Sequence, residues 1–421
     1  MKVVVVALGK IGLPLAVHVA HAGHDVAGCD IDPGVVEAVN AGRPPFPGED
    51  GLEEALAEVV GAGRLHARVD TTGAVAEGPE LVIAVPPVLI DAEARPDFGA
   101  LDAVCDAVGR GLRAGTTVSV ETTMPVGTTR TRIAPRLAEL SGLTLEEDLW
   151  VVHSPERVYS GRVFRDLATY PKLVGGLGVR GEERAAKLYE AFITPEVRRM
   201  GSVEAAELTK IAEAVYRHLN IALANELARF SDRAGIDVNR VIDGANSQPF
   251  SHLHRPGVAV GGHCTPVYPH FWLRGDPEAR LSRVADEVNR SMPAYAVERL
   301  GDALGGLEGR RVLILGVAYR GGVKETAFSG AFGLRDELAH RGAEPVAADP
   351  LYSDAELDRA GFTPWDGAEV DAAILQADHA EYRRLRPEDV PGARVVVDGR
   401  DGLDRARLEN AGIRVVGIGR P

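Results

Sequence analysis

The stretch Lys2-Val-Val-Val-Val-Ala-Leu-Gly-Lys-Ile-Gly12 decides the fold of the first part of this chain. A β-branched apolar run leads directly into a glycine-bearing turn, and the residues that follow keep the spacing of a helix. Glycine in such a turn lets backbone N–H groups approach a pyrophosphate at the positive end of the helix. The pattern predicts a dinucleotide site lined by Gly9, Lys10, Ile11 and Gly12, although Ala7 takes the place of the first glycine.

A second predicted strand ends at Asp30, where such sites carry an acidic residue. Its carboxylate can accept hydrogen bonds from the adenosine ribose hydroxyls and repels a 2′-phosphate. We therefore expect NAD as the cofactor rather than NADP. A Rossmann-like sheet without a cofactor is the alternative.

Short apolar runs alternate with helical patterns through the first half of the chain. We expect strands over residues 2–6, 25–29, 81–85, 117–121 and 149–153. This βαβ alternation is typical of a parallel, doubly wound sheet. Residues 203–234 then keep apolar residues at helical spacing without Gly or Pro, which predicts one long helix or two stacked ones.

After Gly309 the alternation returns in five apolar runs, with a helix expected near residues 328–341. The predicted fold class is α/β, with two Rossmann-like doubly wound domains joined by a helical central domain. We place the NAD-binding domain at residues 1–198, the central domain at 199–304 and the C-terminal Rossmann-like domain at 305–421. A chain of 421 residues is too long for one core.

Composition narrows the range of partners. A net charge of −14 argues against nucleic acid or an anionic membrane surface as a partner. No apolar run of about 18 residues is present, so we expect no membrane span. The three cysteines, Cys29, Cys105 and Cys264, have no paired spacing. They suit a reducing, cytoplasmic setting, in which each is buried filler or a reactive thiol.

The stretch Pro256-Gly-Val-Ala-Val-Gly-Gly-His-Cys-Thr-Pro-Val267 carries the clearest chemical signal. Cys264 follows two glycines, Gly261 and Gly262, and Pro266 stiffens the exit of the loop. This arrangement indicates a presented nucleophile more than a packed side chain. The twelve histidines show no H-x-x-x-H spacing, so we predict no metal site.

The cysteine loop resembles that of the UDP-glucose/GDP-mannose dehydrogenase family. Gly-Gly-His-Cys followed by Pro-Val is most similar to the branch that makes UDP-N-acetylhexosaminuronic acids. The resemblance extends over nearly the whole chain. Its further motifs are Leu8-Gly-Lys-Ile-Gly-Leu-Pro-Leu-Ala, Asp30-Ile-Asp-Pro, Glu121-Thr-Thr-Met-Pro-Val-Gly-Thr, Ser154-Pro-Glu-Arg157, Leu208-Thr-Lys-Ile-Ala-Glu, Asn220-Ile-Ala-Leu-Ala-Asn-Glu and Leu315-Gly-Val-Ala-Tyr319.

The resemblance implies a four-electron oxidation of the C6 primary alcohol of a UDP-hexose or UDP-N-acetylhexosamine to the uronate. Two NAD molecules are used in turn, and Cys264 carries the intermediate as a thioester. An aldehyde has a second hydride to give only after a nucleophile adds, and a thiolate is the best such nucleophile near neutral pH. The family also implies a homodimer formed by the central helices, and a role in polysaccharide assembly.

The resemblance assigns roles to further residues. Lys210 stabilises alkoxide and oxyanion intermediates, Glu156 activates the hydrolytic water, and Thr123 positions a water or the substrate alcohol. Pro86 and Thr123 add cofactor contacts. The implied substrate-binding residues are Glu156, Arg157, Lys210, Asn220, Gly261, Gly262, Tyr319 and Arg400. Arg400 has the alternative of being a surface arginine.

Several positions depart from the family pattern. Ala214 replaces an asparagine one helical turn after the lysine, and Tyr268 lies where an aspartate usually follows the cysteine loop. Ala327 replaces an arginine that clamps the nucleotide phosphates, and Pro87-Val88 replaces Thr-Pro. An unusual substrate, a reaction that stops early and lost activity would each explain these changes. We favour the unusual substrate, because a missing phosphate clamp is best tolerated with a different ligand.

Two other functions remain open. A two-electron hydroxy-acid dehydrogenase of the wider superfamily would use Lys210 for proton transfer and would be indifferent to loss of Cys264, but it leaves the third domain unexplained. A non-catalytic nucleotide-binding or scaffold protein would bind NAD or a nucleotide without turnover.

Overall fold

The computed structural model describes residues 1–91, 93–159 and 161–421. The chain forms two compact units, one made of residues 1–213 with 270–275 and the other of residues 214–269 with 276–421. The first division lies inside the 32-residue helix Val203–Ala234. The sequence left one helix or two open at this point, and the structure has one.

Ten strands of the described residues belong to the first unit. They are β1 (Lys2–Val6), β2 (Asp25–Cys29), β3 (Leu65–Arg68), β4 (Leu81–Ala84), β5 (Leu89–Ile90), β6 (Pro96–Asp97), β7 (Thr116–Val120), β8 (Leu149–His153), β9 (Lys172–Gly176) and β10 (Val197–Arg199). Eight of them form one sheet in the order β10-β9-β8-β7-β4-β1-β2-β3, and β5 and β6 pair as a separate hairpin.

Sixteen α-helices occur in the described residues. They are α1 (Gly12–His21), α2 (Pro33–Asn40), α3 (Leu52–Gly61), α4 (Thr71–Ala76), α5 (Gly99–Gly111), α6 (Ala134–Ser141), α7 (Val163–Leu167), α8 (Val179–Tyr189), α9 (Val203–Ala234), α10 (Val238–Asn246), α11 (Tyr268–Gly275), α12 (Arg280–Arg290), α13 (Met292–Leu304), α14 (Gly330–His340), α15 (Asp354–Arg359) and α16 (Arg405–Asn410). A π-helical segment, Thr129–Ile133, precedes α6, and 3-10 turns lie at Tyr382–Arg384 and Pro387–Asp389.

The five strands expected in the first half are all present, within one residue at each end. Their residues are buried on both faces, which is why the runs read as continuous apolar stretches rather than alternating ones. All five run parallel to one another. The order reverses between β1 and β4, and ligands bind at this kind of crevice beyond the carboxyl ends of the strands.

The sequence did not predict β9, which pairs antiparallel with β8. Partners Val152 with Gly176 and His153 with Gly175 set the register. Because β9 runs in the opposite direction, its first residue, Lys172, lies at the sheet edge where β8 ends. This reversal positions one charged residue of the site described below.

The second unit contains five parallel strands: β11 (Arg311–Leu315), β12 (Glu344–Ala348), β13 (Ala372–Leu375), β14 (Val395–Asp398) and β15 (Arg414–Gly417). Their order is β12-β11-β13-β14-β15. Each lies inside one of the five apolar runs expected after Gly309, and α14 lies inside the helix expected there. The fold class is therefore confirmed as α/β with two doubly wound sheets and a helical central region.

No helix within residues 1–91, 93–159 and 161–421 is long and apolar enough to cross a membrane. The same residues contain no group of three or more His, Cys, Asp or Glu side chains placed to hold a metal ion.

Candidate active site

The turn after β1 has the geometry of a dinucleotide-binding turn. Ala7 adopts a left-handed φ of 74°, a conformation that favours glycine, and its N–H donates to the carbonyl of Cys29 at 2.8 Å. Gly12 begins α1, and a Cβ at Gly12 would lie 1.9 Å from the carbonyl oxygen of Ala7. The chain thus keeps the turn of the usual fingerprint although its first glycine has become alanine.

The same turn leaves room for a pyrophosphate. A Cβ built at Gly9 would meet no atom of the described residues within 4 Å. Ile11, the N-cap of α1, makes no side-chain hydrogen bond to the helix. Open space beside Gly9, next to the positive end of a ten-residue helix, fits the diphosphate of NAD. Lys10, between them, is exposed.

Asp30 lies at the carboxyl end of β2 and has a structural role that the sequence did not indicate. Its Oδ2 accepts from the N–H of Leu8 at 2.7 Å, and its Oδ1 accepts from the N–H of Asp32 at 3.0 Å. The carboxylate therefore fixes the glycine turn. A carboxylate has about four acceptor sites, so both oxygens can still accept from ribose hydroxyls.

Pro86 and Thr123 follow β4 and β7, the next two strands along the sheet. Pro86 is buried, and its carbonyl accepts from the Thr122 hydroxyl at 2.5 Å. Thr123 is 7% exposed. The two residues thus lie on neighbouring strand ends at the edge that carries Gly9 and Asp30.

A buried ionic cluster lies where β7, β8 and β9 meet, and we call Glu121, Glu156, Lys172 and Tyr189 the glutamate–lysine cluster. Lys172 Nζ donates to Glu121 Oε2 at 2.6 Å and to Glu156 Oε2 at 2.8 Å. The Tyr189 hydroxyl hydrogen-bonds Glu121 Oε1 and lies 2.8 Å from Ser119 Oγ. Of these residues the sequence singled out only Glu156.

The cluster separates the acidities of its two carboxyl groups. Burial raises the pKa of Glu121 to about 7, even though Lys172 opposes that effect. Burial also raises the pKa of Glu156, but the charge of Lys172 and its hydrogen bond, the N–H of Arg157 and the charge of Lys210 outweigh it. The pKa of Glu156 therefore ends below its ordinary value. Glu156 is the carboxylate that stays ionised.

Lys210 and Arg157 flank Glu156 in different ways. Lys210 is half-buried on α9, and its charge lowers the pKa of Glu156. The Arg157 N–H donates to Glu156 Oε1 at 2.7 Å. Its guanidinium binds Glu213 at 2.9 Å and the carbonyl of Pro171. Arg157 therefore holds the loop of Glu156, in addition to any contact with substrate.

The cysteine loop belongs to the second unit and packs against the turn after β11. A Cβ at Gly261 would lie 2.7 Å from Tyr319 Cβ, and one at Gly262, whose φ is +88°, would lie 2.9 Å from the Tyr319 ring. The Gly262 N–H donates to the carbonyl of Ala327 at 2.8 Å. The structure thus brings three predicted substrate-binding residues together, and both glycines are required by close approach.

Cys264 is exposed, whereas Cys29 and Cys105 are buried. Burial raises the pKa of Cys29 to about 11 and that of Cys105 to about 12, as expected for inert core thiols. The Cys264 sulfur lies 3.7 Å from the Tyr268 hydroxyl. Cys264 is therefore the thiol open to chemistry.

Two asparagines of α9 hold the segment that leads into the cysteine loop. Asn220 donates to the carbonyl of His252 and accepts from the N–H of His254, each at 2.9 Å. Asn225, which the sequence reading did not assign, is fully buried and accepts from the N–H of Gly257 at 3.0 Å. Asn220 thus holds the segment that precedes the cysteine loop.

Arg400 follows β14 and is half-buried, with its guanidinium hydrogen-bonded inside the second unit. Its Nε donates to the Gln376 carbonyl at 2.6 Å, and Nη2 donates to Gln376 Oε1 at 2.9 Å. Nη1 donates to the carbonyl of Ala259, in the cysteine loop, at 3.1 Å. The guanidinium therefore ties the loop to the carboxyl edge of the second sheet.

Sequence profiles of one family match the chain in three consecutive parts. The NAD binding domain of the UDP-glucose/GDP-mannose dehydrogenase family matches residues 1–193, its central domain matches residues 204–291, and its UDP binding domain matches residues 313–405.

Individual proteins are similar over nearly the full chain. The UDP-N-acetyl-D-mannosamine dehydrogenase of Pyrococcus horikoshii is 32% identical, over 95% of this chain and 96% of that protein. The NDP-N-acetyl-D-galactosaminuronic acid dehydrogenase of Ralstonia nicotianae is 31% identical over 96% of each. The solved structure of the Pyrococcus horikoshii UDP-D-ManNAc dehydrogenase superposes with a TM-score of 0.90 at 30% identity, covering 100% of this chain and 99% of that one.

Proposed function

The chain belongs to the UDP-glucose/GDP-mannose dehydrogenase family and is an NAD-dependent nucleotide-sugar dehydrogenase, and from this premise we propose its substrate and mechanism. The substrate is a UDP-N-acetylhexosamine, whose C6 primary alcohol is oxidised to the uronate through a thioester on Cys264. The observation that carries this proposal is the exposed Cys264 thiol on a loop that two glycines hold against Tyr319.

The choice of an N-acetylated sugar has two supports. The sequence Gly261-Gly-His-Cys264 followed by Pro266-Val resembles the branch that makes N-acetylhexosaminuronic acids. The similar proteins described above carry N-acetylmannosamine and N-acetylgalactosaminuronic acid in their names. Within this class, the departures from the family pattern at Ala214, Tyr268 and Ala327 favour an unusual N-acetylated sugar.

The reaction has three stages. The C6 alcohol loses a proton and a hydride and becomes an aldehyde. The Cys264 thiolate adds to the aldehyde carbon, and the resulting thiohemiacetal loses a proton and a second hydride to give a thioester. Water then displaces the thiolate, so that one alcohol, two NAD⁺ and one water give one carboxylate, two NADH and three protons.

Each protein group has a defined task. NAD⁺ held at the turn of Gly9 and Gly12 would supply the hydride acceptor for each oxidation. Lys210 places its ammonium against the negative oxygen of the alkoxide and of the tetrahedral adducts. Glu156, which Lys172 keeps ionised, takes a proton from the attacking water. Thr123 orients the substrate alcohol or that water.

Stoichiometry and trapping test the proposal. Purified protein with NAD⁺ and each of UDP-ManNAc, UDP-GlcNAc, UDP-GalNAc, UDP-glucose and GDP-mannose should yield two NADH per uronate for one N-acetylated sugar. Cys264→Ser should lose uronate formation, and aldehyde should be detectable by hydrazine capture. One NADH per product, together with an unaffected Cys264→Ser variant, would establish a two-electron dehydrogenase instead.

We also propose a homodimer, formed through the second-unit part of α9. Tyr216, Leu223 and Phe230 follow one another at intervals of seven residues and are 52%, 46% and 58% exposed. Apolar residues seven apart lie on one helix face and are typical of helix–helix association. Leu223→Lys with Phe230→Lys should convert dimer to monomer in sedimentation experiments, whereas Ile31→Lys, which changes a residue of the first unit that is 92% exposed, should not.

The remaining proposals concern the cellular location of the protein and the use of its product. Three free cysteines and dependence on NAD suit the cytoplasm. A uronate attached to a nucleotide is an activated donor for a glycosyltransferase, so we place the product in the assembly of a polysaccharide or another glycoside.

A further inference from the structure

The antiparallel strand β9 brings a lysine to a place that only a reversed strand can supply. Continuing the register of His153 with Gly175 by three residues sets Glu156 opposite Lys172. In a parallel strand the first residue would lie at the other edge of the sheet. The reversal therefore delivers a cation to the side of Glu156.

This cation is enclosed. The side chain of Lys172 is 4% exposed, that of Glu121 is fully buried, and that of Glu156 is 10% exposed. The ammonium also lies 5.2 Å from the centre of the Tyr189 ring. Replacing a buried ion pair with well-packed apolar residues often leaves the stability of a protein unchanged. Stability alone therefore does not explain why three charged groups are buried here.

We propose that Lys172 and Glu121 are positioning residues for the hydrolysis of the Cys264 thioester, an inference that rests on the proposed function. Lys172 holds Glu156 ionised and in one orientation, so that the carboxylate is ready to take the proton of the attacking water. Glu121, held in turn by Tyr189, fixes the other side of the ammonium and sets how strongly Lys172 acts on Glu156.

The contacts give each member a separate task. Lys172 occupies Glu156 Oε2, and the Arg157 N–H occupies Oε1, so the carboxylate cannot rotate freely. A buried carboxyl without such a cation would be protonated near neutral pH and could not act as a base. The positive charge of Lys172 thus keeps Glu156 ionised, as contact with water does for an exposed carboxylate.

The electrostatic surroundings of Glu156 come from six elements. The titratable groups that act on Glu156 or on Lys172 are His18 of α1, Glu121 after β7, His153 of β8, Lys172 of β9, Tyr189 of α8 and Lys210 of α9. His153 is neutral at physiological pH, because burial and then Lys172 lower its pKa to about 3. Lys172 is the only one of these groups with a hydrogen bond to Glu156 among the described residues.

The test follows the hydrolytic step across pH in the intact enzyme with substrate and NAD⁺. Lys172→Met should slow hydrolysis about tenfold at about pH 5.5, so that a thioester on Cys264 accumulates and is seen by intact-protein mass spectrometry. The hydrolysis rate of this variant should recover with rising pH, because the acidic limb of its pH–rate profile moves up by about one to three pH units. Lys172→Arg, which keeps the charge, should stay within about threefold of the wild type with an unmoved limb.

For Glu121→Gln we expect no upward shift of the acidic limb, in contrast to Lys172→Met. Removing the second negative charge leaves the whole ammonium charge to Glu156, so the acidic limb should move down or stay, never up. The double variant Glu121→Gln with Lys172→Met removes one charge of each sign, which protects the fold against an uncompensated buried carboxylate. It should fold with a native circular dichroism spectrum and still show the upward limb shift of Lys172→Met.

Arg184→Met is the matched control. Arg184 is a partly buried cation of the same unit that donates to the Gly115 carbonyl at 2.6 Å and stacks on Trp150. Losing these contacts costs stability, but the substitution should leave the acidic limb in place. A limb that stays put in Lys172→Met and in the double variant, with no accumulated thioester, overturns the inference. Failure of the wild type to form any adduct or uronate overturns the proposed function instead, so the two failures are distinguishable.

Discussion

The Tyr268 hydroxyl lies 3.7 Å from the Cys264 sulfur, at the position where the family pattern carries an aspartate. The Tyr268 N–H also donates to the Cys264 carbonyl at 3.0 Å, so the two residues lie one helical turn apart on the same side of the chain. A phenol at neutral pH is a hydrogen-bond donor and not a base. The Tyr268 hydroxyl can therefore donate a hydrogen bond to the Cys264 sulfur but cannot take a proton from it.

Tyr268→Phe should lower the reactivity of Cys264. Loss of one hydrogen bond to a thiolate costs about 1 kcal/mol, which predicts a roughly three- to tenfold slower alkylation by iodoacetamide at pH 7. The two other thiols are buried, so the reaction reports on Cys264. Tyr352→Phe removes a phenol elsewhere in the second unit and should leave the rate unchanged. Equal rates in Tyr268→Phe and wild type would mean that the contact contributes nothing to the thiolate.

Ala7→Gly should stabilise the protein. Ala7 has a φ of 74°, and a left-handed conformation costs a residue with a Cβ about 1 kcal/mol. Part of that gain is offset by the greater freedom of glycine in the unfolded chain, so we expect a rise in unfolding free energy of about 0.5 kcal/mol. Urea unfolding measures it, and the NAD affinity should persist.

Gly12→Ala should disrupt the same turn. Its Cβ would lie 1.9 Å from the Ala7 carbonyl oxygen, so the turn must open. NAD binding measured by calorimetry should weaken more than tenfold, because the helix end moves away from the pyrophosphate. A Cβ at Gly9 meets no atom of residues 1–91, 93–159 and 161–421 within 4 Å, so Gly9→Ala should fold normally. Any loss of NAD affinity in this variant therefore reports the space taken from the cofactor.

His153 should make the protein sensitive to acid. Burial, reinforced by Lys172, lowers the pKa of its imidazole to about 3, from 6.5 in the unfolded chain. Below pH 6.5 the unfolded chain takes up a proton that the folded chain does not, so the stability present above pH 6.5 is lost progressively as the pH falls toward 3. Between pH 6.5 and 5 the loss is about 2 kcal/mol.

His153→Phe removes this titration. Urea unfolding at several pH values should show a smaller fall in unfolding free energy between pH 6.5 and 5 for the variant than for the wild type, whatever their absolute stabilities. Exposed His66 serves as control, and His66→Gln should keep the wild-type slope. Parallel slopes for His153→Phe and wild type would contradict the assignment.

The sequence predicted the parts of this protein that depend on local pattern. The apolar runs predicted the bounds of β1, β2 and β8 to the exact residue. A strand buried on both faces is apolar along its whole length, so its ends coincide with the ends of the apolar run. The Gly261-Gly-His-Cys264 stretch indicated a presented thiol, and Cys264 is exposed. Both features depend on residues close together in the chain.

The glutamate–lysine cluster could not be predicted in that way. Lys172 lies 51 positions from Glu121, and only the reversed direction of β9 brings their side chains together. A lysine that begins a short apolar run reads as a solvated strand end. One signal was available: an isolated charge before Leu-Val-Gly-Gly, near a motif that already contained Glu156, could have suggested a buried partner.

Arg400 is the residue whose two expected roles an experiment can separate. The family resemblance implies a contact with substrate, whereas the structure shows its guanidinium bound to Gln376 and to the Ala259 carbonyl of the cysteine loop. Arg400→Lys keeps the charge but loses the fork that makes these bonds, and it leaves buried acceptors unpaired. If loop support dominates, kcat should fall about tenfold or more while KM for the nucleotide sugar changes less than threefold, because the thiol is displaced and the ligand contacts are not. The unfolding temperature should fall by several degrees, consistent with a loss of about 2 kcal/mol in unfolding free energy. A large rise in KM at unchanged kcat and unchanged unfolding temperature would instead identify Arg400 as a direct substrate ligand.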